Sequence, residues 1–164
     1  MKKLNRKGFT LVELLAVIII LAIVVGITIP AILTTTNNAK KKAFTSAAEA
    51  SADWFERQYQ LYIVDKADTG INSTVKTQFD TVTYGTVATL TFNDAAVIEA
   101  SGLKSTNVSS VKVYLSATGR VCVLLTANAN GDYKGAGNVS QTGANSETAT
   151  DYAKGGSCNG VEFR

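Results

Sequence analysis

Residues 9–33 read FTLVELLAVIIILAIVVGITIPAIL, the longest apolar run in the chain. As an α-helix, these 25 residues would extend about 37 Å, which is enough to cross a hydrocarbon core about 30 Å thick. The run is long for a secretory signal peptide, and no small-residue cleavage pattern follows it. We therefore expect residues 9–33 to remain in the protein as one membrane-spanning helix.

A single carboxylate, Glu13, interrupts this run, and no basic side chain lies within residues 9–33. A charged residue inside a membrane helix costs about 2.5–3.5 kcal/mol on insertion scales, so it normally has a partner and a function. One candidate partner is a free amine at Phe9, four residues earlier on the same helix face. That amine exists only if the chain is cut after Gly8.

Residues 7–13 read KGFTLVE, and this stretch resembles the signature of type IV prepilins. The resemblance implies cleavage between Gly8 and Phe9 by a prepilin peptidase, followed by N-methylation of the Phe9 amine. In that family, the glutamate that matches Glu13 neutralises the N-terminal amine of a neighbouring subunit and so sets the subunit register. Pseudopilins of type II secretion and competence systems carry closely similar leaders, so the motif indicates the superfamily as a whole.

The charge distribution argues for membrane topology and against nucleic-acid binding. The net charge is +3, but four of the 16 basic residues lie in residues 1–8. The rest of the chain has 12 basic and 13 acidic residues, so its net charge is close to zero. The basic leader predicts a cytoplasmic N-terminus. The chain has no histidine, and we find no nucleophile motif or phosphate-binding loop. We expect a protein that is not an enzyme and has no metal, cofactor or small-molecule substrate.

Gly26 and Pro30 lie late in the apolar run. Proline removes a backbone donor and clashes with the preceding turn, which predicts a kink, with a gently bent continuous helix as the alternative. In the pilins that the chain resembles, the matching Gly-to-Pro stretch can unwind in the assembled filament. The resemblance therefore gives Pro30 a role in assembly.

The helix is predicted to continue as an amphipathic segment to about Val64. Its apolar positions form two adjacent stripes, Ala43, Ala47, Ala50, Trp54 and Leu61 in one, and Phe44, Ala48, Phe55, Tyr59 and Tyr62 in the other. Such a face needs a cover, and a sheet built from the remaining residues is the natural one.

Three lysines, Lys40, Lys41 and Lys42, follow the apolar run, and the acidic residues Glu49, Asp53 and Glu56 come after them. Three interpretations stay open: a solvated helix surface, charge pairing between neighbouring subunits, or a contact with anionic lipids.

The rest of the chain predicts a small β domain. Residues 65–80 are polar and are interpreted as a loop, and residues 81–92 could hold a strand broken near Gly85. Residues 94–100 predict a short helix, capped by Asn93 or Asp94 and ended by Gly102. Alternating apolar positions over residues 111–127 predict an antiparallel hairpin.

Residues 128–160 hold seven of the 13 glycines and predict an irregular surface loop, with residues 161–163 as a possible edge strand. An even pair of cysteines, Cys122 and Cys158, predicts a disulfide in an oxidising compartment, with two free buried thiols as the alternative. Such a bond would stabilise the domain by about 4 kcal/mol on the chain-entropy model. Asn128, Asn130 and Asp132 do not complete a calcium-loop pattern, and a plain turn is expected there.

Together, these features predict an α+β protein in which a long N-terminal helix packs on a small antiparallel sheet with a disulfide-closed C-terminal loop. Residues 1–8 form a leader that is removed, residues 9–64 the helix, with 9–33 as membrane span and filament core, and residues 65–164 the head. The resemblance implies a type IV pilus subunit used for adhesion, twitching motility or aggregation, or alternatively a pseudopilin. Its expected partners are other pilin subunits, the prepilin peptidase and the pilus assembly machinery. We expect it in the cytoplasmic membrane first, and on the cell surface after assembly.

Overall fold

The computed structural model describes residues 9–137 and, for the backbone only, residues 149–153. Its elements are α1 (Leu11–Val64), α2 (Ser73–Phe79), β1 (Ala88–Phe92), α3 (Ala95–Ala100), β2 (Val108–Leu115), β3 (Val121–Ala127) and β4 (Ala149–Ala153). The chain divides into two compact units between Asn37 and Asn38, and α1 contributes residues to both. The predicted α+β class, with a long N-terminal helix and an antiparallel sheet, is confirmed.

The four strands form one antiparallel sheet in the order β1-β2-β3-β4. The predicted hairpin over residues 111–127 is its centre, formed by β2 and β3 with Val113 opposite Val123. Valine, leucine and threonine dominate these strands because branched side chains pack well on a pleated surface. All five residues from Val121 to Leu125 are buried, so β3 is covered on both of its faces.

One face of α1, over residues 38–64, packs into the core of the head. Phe55 stacks on Phe92 of β1 with ring centroids 5.1 Å apart, and Tyr59 lies against the turn at Gly119 between β2 and β3. The second predicted stripe is the one that is buried, comprising Phe44, Ala48, Phe55, Tyr59 and Tyr62.

The predicted width of the apolar face was wrong on one side. Ala43 and Ala50 of the first stripe are exposed, whereas Ser51 and Gln58 are buried. Two hydrogen bonds explain why Gln58 can be buried. Its side chain donates to the Gly70 carbonyl at 3.3 Å and accepts from the Asn72 N–H at 2.7 Å. A polar residue is tolerated in the core here because the backbone of the next segment satisfies its amide.

The interpretation of residues 65–80 as a loop was also wrong, because α2 forms within them. The Asn72 side chain accepts from the N–H groups of Thr74 and Val75, which caps the helix. Phe79 is buried against Tyr59 and Tyr62, at centroid distances of 5.1 and 5.5 Å. Burial of Phe79 on α1 stabilises a seven-residue helix that would not form alone.

The short helix predicted over residues 94–100 is confirmed as α3. The Asp94 carboxylate accepts from the N–H groups of Ala96 and Val97, and Gly102 takes a φ of +84° just after the helix. That left-handed conformation favours glycine because it has no Cβ to clash. The strand predicted over residues 81–92 with a break near Gly85 is found only after that glycine, as β1.

A strand in residues 128–160 was not predicted, and β4 corrects that interpretation. Thr150 and Tyr152 are residues of high strand propensity, and β4 completes hydrogen bonding along β3, with Ala153 opposite Cys122. Residues 138–148 and 154–164, which include Cys158 and the edge strand predicted at 161–163, lie outside the described residues.

Candidate processing and assembly site

A reciprocal hydrogen-bonded cap, formed by Thr10 and Glu13, starts α1. Glu13 Oε2 accepts from the Thr10 N–H at 2.8 Å and from its hydroxyl at 2.9 Å, while Thr10 Oγ1 accepts from the Glu13 N–H at 3.3 Å. This is a capping box, in which a threonine and a glutamate three residues later satisfy each other's backbone donors. The sequence reasoning missed it, although the pattern Thr-x-x-Glu before an apolar run was the available signal.

The cap gives Glu13 a second role beside the predicted contact with an amine. Its carboxylate turns back toward residue 10, so it lies at the helix N-terminus, where the helix dipole favours a negative charge. Phe9 directly precedes this cap and has 88% of its surface exposed. Gly8 lies outside the described residues, so cleavage after Gly8 and methylation at Phe9 stay predictions.

The apolar side chains of the first unit have no cover in the described chain. Exposure of the large apolar residues from Leu11 to Leu33 ranges from 81% at Leu11 to 49% at Val25. Their helix is long and apolar enough to cross a membrane, with a mean hydropathy of 3.0 in its best 18-residue window, none of it buried. Water disfavours such a surface, which therefore needs lipid or another protein around it.

Pro30 lies inside α1, and the helix continues without interruption on both sides of it. Proline cannot donate to the carbonyl four residues earlier, at Gly26. Hydroxyl groups bond to other carbonyls of this stretch, from Thr28 to Val24 at 3.0 Å and from Thr34 to Pro30 at 3.1 Å. The role of Pro30 in assembly stays a prediction.

Cys122 is fully buried near the start of β3. Its predicted partner Cys158 lies outside the described residues, so the disulfide between them remains a prediction.

The turn after β3 is held by hydrogen bonds with the segment that directly precedes β2. Asn107 Nδ2 donates to Asp132 Oδ2 at 3.0 Å, and Asn107 Oδ1 accepts from the Asp132 N–H at 3.1 Å. Asn128 Nδ2 donates to the Ser105 carbonyl at 2.7 Å. These bonds give Asn128 and Asp132 a structural use, and among the described residues no group of three acidic, cysteine or histidine side chains could hold a metal ion.

One family model matches the N-terminal segment of the chain. Residues 3–29 match the family model described as the prokaryotic N-terminal methylation motif, which is the prepilin signature of type IV pilins and pseudopilins. The match confirms the resemblance seen at residues 7–13 and indicates a type IV pilin-like or pseudopilin protein. It implies processing by a prepilin peptidase and assembly into a pilus-like filament. Neither the curated proteins nor the solved structures include a match to this chain.

Proposed function

We propose that this protein is a structural subunit of a type IV pilus. The precursor is held in the cytoplasmic membrane by residues 9–33 with its N-terminus in the cytoplasm, and a prepilin peptidase cuts it after Gly8. The amine of Phe9 is then methylated, and subunits polymerise through α1 into a surface filament. The protein acts by assembly and carries out no catalysis.

The observation that supports this proposal is the uncovered apolar surface of α1 in the segment that carries the prepilin signature. The same surface can be buried in lipid before assembly and against neighbouring copies afterwards, because both environments are apolar. A monomeric soluble protein would not leave this much contiguous apolar surface in water.

The polymer also explains why a carboxylate lies in this segment. A Glu13 carboxylate buried in a filament core needs an opposite charge, and the only cation that processing creates there is the amine of Phe9. In the precursor, the hydrogen bonds from Thr10 hold the carboxylate at the helix start. Assembly would add the amine of a neighbouring copy to this position.

Two features favour a pilus over a pseudopilin assembly. One is the head, with its four-stranded sheet and two short helices. The other is the predicted Cys122–Cys158 bond, which would tie the glycine-rich polar sequence around Cys158 to β3. Such a tethered segment suits adhesion or aggregation, since binding functions concentrate on loops held by a rigid scaffold.

Intact mass spectrometry of filaments sheared from the cell surface tests the proposal. We expect a chain that starts at Phe9, carries one added methyl group and lacks two thiol hydrogens. A processed chain found only in the membrane fraction would favour the pseudopilin alternative, and a chain that still starts at Met1 would refute the proposal. Replacing Gly8 with a bulky residue should leave the precursor uncut.

The capping box allows the charge of Glu13 to be tested separately from its hydrogen bonds. Glu13→Gln keeps a side chain that can cap the helix but removes the charge. Thr10→Val removes the two hydrogen bonds of the Thr10 hydroxyl and keeps both the charge and the bond from the backbone N–H of residue 10. We expect Glu13→Gln and Glu13→Val to insert into the membrane but to yield few filaments, and Thr10→Val to assemble. Normal filament numbers for Glu13→Gln would refute the charge-pairing role.

A further inference from the structure

The lysine cluster, defined here as Lys40, Lys41 and Lys42, lies between the apolar run and the head. All three residues are helical and exposed. Lys40 follows Leu33 by seven positions, and Phe44 is the first buried side chain after the cluster. The cluster therefore occupies the stretch of chain that leads directly from the apolar segment into the head.

The residues between the apolar run and the cluster suit the boundary of a membrane. The hydroxyl groups of Thr34, Thr35 and Thr36 donate to the carbonyls of residues 30, 31 and 32 at 3.1, 2.9 and 2.8 Å. Because these polar groups are satisfied inside the helix, placing them at the edge of the hydrocarbon costs little. Six helical residues, 34–39, rise about 9 Å, slightly more than the about 5–7 Å thickness of one headgroup layer, which puts the lysines at the outer edge of that layer.

The angular spread of the three lysines distinguishes a lipid contact from a contact with one protein surface. Consecutive helical residues point about 100° apart, so three in a row cover more than half of the helix circumference. A neighbouring subunit would meet only one side of this arc. A ring of headgroups surrounds the helix and can meet all of it, and each lysine stem can bend toward the membrane surface.

We propose that the lysine cluster binds the anionic headgroups of membrane phospholipids while the subunit is held in the bilayer. The ligand chemistry is a lipid phosphate that carries a net negative charge, and the lysine ammonium groups supply the opposite charge. The contact fixes how deep the helix lies before the subunit enters a filament. This inference rests on the membrane-held stage of the proposed function.

Electron paramagnetic resonance of spin-labelled lipids around the full-length precursor tests the proposal. The precursor is placed in phosphatidylcholine bilayers with a trace of labelled phosphatidylcholine or phosphatidylglycerol, and the motionally restricted fraction of each is measured. We expect phosphatidylglycerol to be preferred, and Lys40→Gln to weaken its association next to the cluster by about fivefold at low salt. The triple variant of Lys40, Lys41 and Lys42 to glutamine should weaken it further. The basic leader is present in every protein, so a difference between variants reports the cluster and not the leader.

Matched variants separate the effect of the lysine cluster on lipid preference from the effect of the net charge of the protein. Changing Lys66, Lys76 and Lys112 to glutamine removes the same charge from the head and should leave the lipid preference unchanged. Changing Lys40, Lys41 and Lys42 to arginine should preserve it, and about 1 M salt should abolish it, because the screening length falls to about 3 Å.

The outcomes distinguish this inference from the proposed function. An unchanged preference for phosphatidylglycerol in the triple glutamine variant would overturn the inference, and if that variant also lost filaments, the cluster would belong to an interface between copies. The absence of any restricted lipid around the unaltered precursor would instead show that the chain does not insert, and the proposed function would fail with it.

Discussion

Replacing Phe55 with alanine tests whether α1 and the sheet share one core. Phe55 is fully buried, with its ring 5.1 Å from that of Phe92 on β1 and 4.9 Å from that of Trp54. Truncation of a buried phenylalanine costs about 3–5 kcal/mol, because it removes apolar contact and leaves a cavity that the surroundings fill only in part. The stacked pair with Phe92 adds directional packing that alanine cannot replace.

Urea unfolding of the full-length protein in detergent measures this loss. With a denaturant slope of about 1.5 kcal/mol per M, a loss of about 4 kcal/mol lowers the midpoint by roughly 2.7 M. Resistance of the head to a protease is the suitable readout, because Phe55 touches the single tryptophan and its removal would shift the fluorescence baseline.

Arg57→Ala is the matched control, since Arg57 is exposed on the same helix two residues later. We expect it to change the free energy of unfolding by less than about 0.5 kcal/mol. A loss below about 1 kcal/mol for Phe55→Ala would mean that α1 does not pack on β1 as described.

Three further predictions concern the head. Gly131→Ala should destabilise it by about 1–3 kcal/mol, because an added Cβ would lie 2.8 Å from the Cα of Asn107; an unchanged urea midpoint would contradict that close approach. Asp94→Ala should cost about 1 kcal/mol by removing the α3 cap, and Asp94→Asn should cost much less; equal midpoints for the two variants would argue against capping. Burial raises the pKa of Tyr59, with smaller contributions from other tyrosines, so the folded state holds this proton more tightly than the unfolded state. The raised pKa of Tyr59 therefore contributes fully to the stability of the fold below the ordinary tyrosine pKa of about 10, and this contribution is lost as the pH rises above that value. Urea midpoints measured from pH 9 upward should fall less steeply in Tyr59→Phe, and identical slopes would refute the assignment.

Interactions close in the chain were the ones that the sequence could predict. Three features were predicted at nearly their observed places: the membrane-length helix, the hairpin of β2 and β3, and the cap of α3. Each depends on periodicity or on residues a few positions apart. The capping box of Thr10 and Glu13 is equally local, and it was missed because the charge of Glu13 drew the interpretation toward a distant amine.

The candidate site was also predicted from residues that are close together in the chain. Residues 7–13 carry the processing signature as a contiguous motif, so the sequence alone located Phe9 and Glu13, and the family match covers the same segment. The Thr-x-x-Glu pattern in the same stretch also indicates that the Glu13 carboxylate turns back toward residue 10, and the hydrogen bonds of the structure show that orientation.

What the sequence by itself determined is therefore the apolar helix, its processing motif and the α+β class, since local spacing and composition set all three. Only the tertiary structure decided that α2 forms, that Gln58 is buried and that β4 joins β3. Each of these depends on a partner distant in the chain. Phe79 needs the tyrosines of α1, Gln58 needs the backbone at Gly70 and Asn72, and β4 needs the hydrogen-bonding edge of β3. Burial supplies the free energy that weak local preferences lack, so such elements appear only when the chain has folded around them.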